Sequence, residues 1–339
     1  MLKCIDEMPQ LCQQAWQMVM DFDMPPDYSR VNKVVIFGVG GSAIGGDLVS
    51  SLTVSEAKIP IIIYRGYNLP AFIDAQTLVI ASSCSGMTEE TLSPFRKTLE
   101  TESKKLAITT GGKLKEMAEA RNIPVFSFDY RAQPRAALAF SLLPILGFLS
   151  KLGCISDKSA EVAEAVEVLQ KMVREAGEGV PVSNNPAKQL AEKLYGRLAV
   201  VYGAGIVVEV AHRWKTQLNE NSKAWAFYEV FPELNHNSIV GYQFPPELAG
   251  KTMVVLLHSD LLPYRLKLRY QVTCELLDKA KVGYQVLEGD GTSPLSHIMS
   301  LVLFGDYVSF YLAMLNKIDP TPVKNIAYLK EKLAKDKRE

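Results

Sequence analysis

Val34–Asp47, with the sequence VVIFGVGGSAIGGD, decides the fold because an apolar run passes into a glycine-rich turn and then into helix-forming residues. Four consecutive apolar residues followed by glycine are typical of a strand buried in a parallel sheet. Gly38-x-Gly40-x-x-Ala43 formally satisfies the dinucleotide-binding fingerprint. The glycines could instead let the backbone approach a sugar or its phosphate, with Ser42 as an added donor, or allow tight packing between helix and strand.

A second strand-to-helix junction lies at Ser83–Thr88 (SCSGMT), after the apolar run Thr77–Ala81. Three hydroxyls around a glycine at a helix N-terminus can wrap a phosphate, because backbone N–H groups and the helix dipole favour an anion. The loop lacks the lysine of a GxxxxGK[ST] motif, which disfavours a nucleoside triphosphate and favours a phosphorylated small molecule. The alternative is that Thr88 is only an N-cap and that Ser83 and Ser85 lie in an ordinary turn.

The same alternation of apolar runs and helix-like segments extends over most of the chain. The first set of strand-like runs lies at 33–37, 59–64, 77–81, 105–109 and 123–127. A second set follows a helical stretch at 158–196 and lies at 197–205, 252–257 and 282–287. Short buried strands alternating with helices predict an α/β protein with doubly wound parallel sheets.

We therefore expect two αβα-sandwich domains joined by helices, one at 1–150 and the other at 151–339. The second set begins with Val201–Gly205, which repeats the pattern of Ile36–Gly40. Because ligands of such sheets bind beyond the carboxyl ends of the strands, both glycine loops are expected at ligand-binding edges.

Composition excludes several classes of protein. Lys plus Arg and Asp plus Glu both number 37, so no global field attracts nucleic acid or a membrane surface. The five cysteines are scattered without a CxxC motif, which indicates reduced thiols in a cytosolic protein. The four histidines lie too far apart for an HExxH-type zinc site. Segment 136–149 is strongly apolar but too short to span a membrane, and we expect a buried helix there.

Two titratable residues are candidates for proton transfer. Glu220 lies among amides in Asn219–Lys223 (NENSK), at the end of a helix-like run. His236 lies in a loop between Asn235 and Asn237, whose amides could orient its imidazole. A Glu and a His near a phosphate pocket could move a proton next to a carbonyl, although a frayed helix end and a structural loop histidine would look the same.

Six stretches in the same order give the chain a specific resemblance. They are Gly40–Asp47, Ser83–Thr91, Gln133–Ala137, Asn219–Lys223, Pro232–Asn237 and Gly305–Ser309. On these stretches the chain resembles the bifunctional phosphoglucose/phosphomannose isomerases, a branch of the sugar isomerase (SIS) domain superfamily. One departure is Met87, where the serine loop of the family usually carries Asn.

The resemblance implies a role for each matched residue. The 6-phosphate would be held by the hydroxyl and loop residues Ser83, Ser85, Thr88, Gly41 and Ser42. Arg135 would stabilise negative charge on an enediolate, and Glu220 would carry a proton between C1 and C2. His236, contributed by the other subunit of a homodimer, would open the sugar ring. No metal or redox cofactor would be needed.

The family also has a ring-opening lysine near its C-terminus. Lys330 is the best match, with Lys324 and Lys317 as alternatives. Thr321 is a candidate for the small threonine that leaves room for the C2 epimer to rotate. The resemblance thus predicts a cytoplasmic aldose–ketose isomerase that interconverts glucose 6-phosphate and mannose 6-phosphate with fructose 6-phosphate.

Three other functions remain open. A non-catalytic SIS protein that senses a phosphosugar would keep the serine loop without the Glu220 and His236 pair. An NADP-dependent oxidoreductase would use the Gly38 loop, with Arg65 on the 2′-phosphate in place of the acidic residue that NAD requires. An SIS transferase or epimerase of amino sugars is the third, although Cys4 does not have the context of a glutamine-attacking N-terminal nucleophile.

Overall fold

The computed structural model describes residues 1–336, which form two β-sheets surrounded by helices. The strands are β1 Lys33–Phe37, β2 Ile61–Tyr64, β3 Thr77–Ser82, β4 Lys104–Thr109, β5 Val125–Ser127, β6 Leu198–Ala204, β7 Ala226–Phe231, β8 Thr252–His258 and β9 Gly283–Glu288. The helices are α1 Leu2–Asp6, α2 Met8–Met20, α3 Gly41–Thr53, α4 Glu89–Thr98, α5 Gly112–Glu119, α6 Leu138–Lys151, α7 Ser159–Ala176, α8 Pro186–Leu194, α9 Val208–Glu220, α10 Pro246–Ala249, α11 Tyr264–Ala280, α12 Pro294–Leu315 and α13 Lys324–Lys335.

The first sheet has the strand order β2-β1-β3-β4-β5, and all of its pairs are parallel. Alternate residues of β1 face different helical layers. Val34 and Ile36 belong to the central core with α2, α3 and α6, whereas Val35 and Phe37 pack with α4 and α5. Because both faces are covered, the strands are continuous apolar runs, and the five predicted strands are confirmed.

The second sheet has the order β7-β6-β8-β9 and is also parallel. Val201 faces the central core, whereas Tyr202 faces the separate cluster beneath α11. The predicted class, α/β with two doubly wound sheets, is therefore confirmed. Edge strand β7 was not predicted, because Glu229 interrupts its apolar run and both Phe227 and Tyr228 are exposed.

One continuous core joins the inner faces of both sheets through a shared layer of helices. The longest helix of this layer, α12, packs against α7, α8 and α9. By length and composition alone α12 could cross a membrane, but 78% of its apolar window is buried inside the protein, as expected of a core helix. The buried helix expected at 136–149 is present as α6.

α3 and α9 run antiparallel across the junction between the two sheets. Gly40 and Gly41, at the start of α3, share a cleft with Glu220 at the end of α9. Asp47, further along α3, lies beside Glu209 near the start of α9. The carboxyl edge of the first sheet therefore meets the amino edge of the second sheet.

The second glycine loop lies at a carboxyl edge, as expected, but Gly205 is not among the described residues that line this cleft. Gly205 precedes α9, and the 13 residues of α9 separate it from Glu220, at the other end of the helix, by about 20 Å. The sequence correctly placed Gly205 at a carboxyl edge, but the two carboxyl edges do not face the same cleft.

Candidate active site

The serine loop, Ser83–Thr88, gathers its three hydroxyls in one turn between β3 and α4. Ser83 Oγ and Thr88 Oγ1 lie 2.9 Å apart, and Ser85 Oγ accepts a hydrogen bond from the Met87 N–H at 3.3 Å. Gly86 has a φ of 64°, which glycine adopts at little cost. Thr88 occupies the N-cap position of α4, but its hydroxyl makes no capping hydrogen bond and pairs with Ser83 instead.

Ser42 connects the serine loop to the glycine loop, because its Oγ accepts a hydrogen bond from the Cys84 N–H at 3.1 Å. The glycines of this second loop differ in their surroundings. A Cβ at Gly41 would lie 2.8 Å from the Pro134 carbonyl oxygen, whereas a Cβ at Gly40 would meet no described atom within 4 Å. Tight packing therefore explains why position 41 is glycine, whereas Gly40 leaves the backbone open toward the cleft.

Arg135 is buried, with 3% of its surface exposed, in a short 3₁₀ turn after β5. Its Nε donates to Asn221 Oδ1 at 2.7 Å, and one terminal nitrogen donates to the Pro320 and Thr321 carbonyls at 2.7 and 2.9 Å. Burial lowers the pKa of Arg135, and the nearby carboxylate of Glu220 opposes that shift. Since an arginine stays protonated in proteins, Arg135 fixes a positive charge at the cleft.

Glu220 is the last residue of α9, and its carboxylate is 28% exposed. Its Oε2 lies 3.5 Å from a terminal nitrogen of Arg135. The two side chains line the same cleft. The cleft is lined by Gly40, Gly41, Ile44, Arg65, Arg135, His212, Arg213, Thr216, Gln217 and Glu220. A partly exposed carboxylate beside a fixed positive charge can accept a proton from a carbon whose neighbouring oxygen becomes negative.

A buried polar network underlies the cleft, and the sequence analysis assigned it no function. Arg213 donates to Asp306 Oδ2 at 2.8 Å and to the Arg135 carbonyl at 3.1 Å. Gln217 donates to Asp306 Oδ1 at 2.7 Å. Burial raises the pKa of Asp306, and Arg213 opposes this shift. Residues 213, 217 and 220 lie on one face of α9, and this spacing is the sequence signal that could have identified Arg213 and Gln217.

A second cluster of charges adjoins the cleft at Arg65 and His212. Arg65 forms an ion pair with Asp47, and His212 Nδ1 lies 3.0 Å from Glu209 Oε2. Burial raises the pKa of Asp47, with Arg65 opposing the shift. Asp47, Glu209 and His212 have the donor atoms of a metal site within 4.8 Å of one another. The guanidinium of Arg65 supplies positive charge at this point, and its pairing with Asp47 leaves it poorly placed for a 2′-phosphate.

His236 lies away from the cleft within a single chain. It is exposed and follows β7, which ends at the carboxyl edge of the second sheet. Glu220 lies at the amino edge, so the six residues of β7 place the two side chains about 20 Å apart. The amides of Asn235 and Asn237 donate to other side chains, so the expected amide partners of the imidazole are engaged elsewhere.

None of the three candidate lysines is among the described residues that line the cleft. Lys330 and Lys324 lie on α13, a helix without any buried residue, and Lys317 is exposed just after α12. Thr321 is closer to the catalytic candidates because its carbonyl accepts a hydrogen bond from Arg135. Lys223 was not a candidate in the sequence analysis, but its side chain donates to the backbone carbonyl of Glu220.

Comparison with known proteins gives matches over nearly the whole chain. A family model described as the bacterial phospho-glucose isomerase C-terminal SIS domain matches residues 183–333. A bifunctional phosphoglucose/phosphomannose isomerase of Caldicellulosiruptor bescii is 42% identical over 99% of this chain and 100% of its own length. One from Aquifex aeolicus is 34% identical over 92% of this chain and 94% of its own length.

The fold is also found in solved structures of low sequence identity. A hypothetical protein from Thermus thermophilus superposes with a TM-score of 0.75 at 16% identity, covering 98% of this chain and 90% of its own. This likeness supports the two-sheet architecture.

Proposed function

The chain belongs to the bifunctional phosphoglucose/phosphomannose isomerases, and from this premise we propose the reaction and the role of each cleft residue. The protein is an aldose–ketose isomerase that interconverts glucose 6-phosphate and mannose 6-phosphate with fructose 6-phosphate. The identity of 42% along the full length supports the activity. The observation that carries the assignment of the site is the 3.5 Å approach of Glu220 to Arg135 beside the glycine loop.

The phosphate binds where the serine and glycine loops meet. Ser83, Ser85 and Thr88 supply hydroxyls, and Gly41 and Ser42 supply the start of α3. The Ser42 to Cys84 hydrogen bond supports a single pocket made by both loops. A phosphate held there is remote from the reacting carbons, so its binding free energy positions the sugar for the chemical step.

Glu220 is the base of the isomerisation. Its carboxylate removes the proton from C2 of the open-chain aldose and returns it to C1, while the C1 oxygen is protonated and the C2 hydroxyl becomes the carbonyl of the ketose. The cis-enediolate between these steps carries negative charge on oxygen. Arg135 stabilises that charge, and its hydrogen bonds to Asn221 and two carbonyls support a guanidinium already oriented before the substrate arrives.

Ring opening requires a homodimer in which His236 of one protomer completes the site of the other, together with a C-terminal lysine, of which Lys330 is the best candidate. The separation of about 20 Å between His236 and Glu220 in one chain supports donation across an interface. α13 also exposes Ile326, Leu329 and Leu333, an apolar stripe that a second copy could cover.

The size of the surface is a further argument for association. The accessible area is 15817 Å², whereas about 13,700 Å² is expected of a compact monomer of 37.5 kDa. An excess of this kind is typical of a chain with projecting elements that pack against a partner. We place the dimer in the cytoplasm, in glycolysis and gluconeogenesis, and the five free cysteines are compatible with that compartment.

The first domain, 1–150, holds the phosphate, and the second domain, 151–339, supplies the base. The reaction as proposed uses only protein side chains and requires neither a metal nor a redox cofactor.

The direct test supplies purified protein with fructose 6-phosphate in EDTA, without nicotinamide, and separates the two aldose products. We expect both glucose 6-phosphate and mannose 6-phosphate to form until equilibrium. Binding of the sugar without any aldose would indicate a sensor, and conversion only after addition of NADP would indicate an oxidoreductase. Either result would overturn the proposal.

A further inference from the structure

Two residues that line the cleft each carry a buried polar atom without a hydrogen-bond partner. Among the described residues, the buried side-chain atoms without a partner are Thr91 Oγ1, Glu161 Oε2, Arg213 Nε and Gln217 Oε1. Only Arg213 and Gln217 of these line the cleft. Their exposed fractions are 1% and 3%. Because a buried polar atom without a partner destabilises the folded protein, the presence of two such atoms in residues that line a cleft points to a ligand.

The rest of both side chains is fixed by the same carboxylate. Arg213 and Gln217 are four residues apart on α9 and therefore lie one helical turn from each other. Arg213 donates to one oxygen of Asp306 and Gln217 donates to the other. Asp306 thereby turns the Gln217 amide so that its NH₂ is engaged and its oxygen is left free.

The unpaired atoms are one donor, Arg213 Nε–H, and one acceptor, Gln217 Oε1. A hydroxyl group matches such a pair, because its oxygen accepts one hydrogen bond while its proton is donated in another. A phosphate oxygen does not match, because it would face the amide oxygen of Gln217 without a proton to donate. The charge of Arg213 is also already neutralised by Asp306, and both partners are buried.

The position along α9 indicates which part of a sugar would lie there. Glu220 is three residues beyond Gln217, a rise of about 4.5 Å along the helix axis. Successive carbons of an extended sugar advance by less than 1.5 Å each, so a hydroxyl near Gln217 belongs to a carbon beyond C2. Beyond C2 the open-chain sugar carries hydroxyls on C3, C4 and C5. Because C5 adjoins the phosphate-bearing carbon that the serine loop takes, the hydroxyls on C3 and C4 are the candidates.

We propose that Arg213 and Gln217 bind a hydroxyl on C3 or C4 of the phosphosugar and thereby determine the stereochemistry accepted beyond C2. This inference rests on the proposed function, because it assumes that Glu220 acts at C1 and C2. It gives the site a fixed contact on the part of the substrate that the reaction does not change. The enzyme then accepts both epimers at C2 but discriminates between configurations at C3 or C4.

The test is a double comparison of protein and substrate. Wild type, Gln217→Leu and Thr216→Val are assayed with fructose 6-phosphate and with its 3-deoxy and 4-deoxy analogues. Thr216→Val is the matched control, because Thr216 lines the same cleft but donates its hydroxyl to the Arg213 carbonyl. Far-UV circular dichroism and melting confirm that each variant folds.

For wild type we expect kcat/KM to fall about 10- to 100-fold on one of the two deoxy sugars, because the buried pair is left unpaired. Gln217→Leu should lose a similar factor on fructose 6-phosphate but at most about 3-fold more on that deoxy sugar. Thr216→Val should keep the wild-type discrimination. Equal losses of Gln217→Leu on all three sugars, or no discrimination by wild type, would overturn the proposal.

Calorimetric binding of the same three sugars separates this proposal from the proposed function. A protein that does not isomerise fructose 6-phosphate contradicts the reaction. Weaker binding of one deoxy sugar by wild type, lost in Gln217→Leu, still supports the hydroxyl contact, and equal binding of the three sugars overturns it.

Discussion

Gly45 tests whether the glycines at the start of α3 are needed for close packing. Two opposing effects of Gly45→Ala predict opposite changes in the free energy of unfolding. Gly45 lies inside α3, where alanine is favoured over glycine by about 1 kcal/mol. The neighbouring helix opposes the substitution. An added Cβ would lie 2.3 Å from the Ser141 carbonyl oxygen, 2.4 Å from its carbon and 2.7 Å from the Leu142 nitrogen.

The steric effect should win. These neighbours are backbone atoms of buried α6 and cannot rotate away, so α3 must move by about 1 Å to restore an ordinary contact. Inserting a methyl group into a close-packed interior of this kind costs about 1–3 kcal/mol, and more where the backbone must shift. We expect Gly45→Ala to lower the free energy of unfolding by about 3 kcal/mol after the gain in helix propensity, and the melting midpoint by roughly 4 °C.

Gly46→Ala is the matched control, because it has the same gain in helix propensity at the next position. A Cβ at Gly46 would approach only side-chain atoms of Ile36 and Ile63, at 3.0 to 3.3 Å. We expect a change of less than about 1 kcal/mol, since such side chains can adjust. Urea unfolding of the three proteins gives the comparison. A Gly45→Ala protein as stable as wild type would refute the packing argument and would indicate that Gly45 is kept for another reason.

Three further predictions concern the proposed site and the pH dependence of stability. Glu220→Gln should lower kcat about 10³-fold or more while fructose 6-phosphate binding changes only a few-fold, and near-normal turnover would remove Glu220 from the role of base. Refolding a mixture of Glu220→Gln and His236→Ala should restore about a quarter of wild-type activity, because one site of each mixed dimer is intact, and no recovery would contradict donation of His236 across the interface. Lys158 Nζ lies 2.6 Å from Glu56 and 2.7 Å from Glu161; burial lowers its pKa, but these two carboxylates outweigh burial and raise it above the usual value. Lys158→Met should therefore cost about 2 kcal/mol at pH 8, and the difference from wild type should shrink as the pH rises through the raised pKa of Lys158, a trend that urea midpoints at pH 8 and at strongly alkaline pH would reveal or exclude.

The strands could be predicted well where both of their faces are buried. β1 begins and ends at the predicted residues 33 and 37, because covered faces leave no polar interruption in the apolar run. β7 was missed for the opposite reason. Its outer residues Phe227 and Tyr228 are exposed at a sheet edge, and Glu229 lies between them and Val230, so its sequence lacks the simple buried pattern.

The loops of the candidate site could be found from the sequence because each depends on residues close together in the chain. The contacts between loops depend on residues far apart in the chain and could not be predicted in this way. Ser83 and Thr88 are five residues apart, and their contact follows from one turn. Arg135 and Glu220 are separated by 85 residues, and their approach depends on the antiparallel packing of α3 and α9. The residue pattern itself made Glu220 a candidate and the resemblance to a family supplied Arg135. Arg213 and Gln217 required the structure, since only the position of Asp306 leaves their remaining atoms unpaired.

The dinucleotide fingerprint in the first glycine loop shows how a sequence motif can be met for a different physical reason. In a dinucleotide site, the second glycine allows the backbone to approach the pyrophosphate. Here the corresponding Gly40 does face the cleft, but Gly41 beside it is covered by Pro134, in the turn that carries Arg135. Gly41 thus lets the Arg135 turn approach α3 closely and holds a guanidinium beside the glycine loop, which suits the proposed reaction because it develops negative charge on oxygen. A larger residue at position 41 would push the turn that carries Arg135 away from α3, so the motif here allows close packing between the turn and the helix beside the cleft.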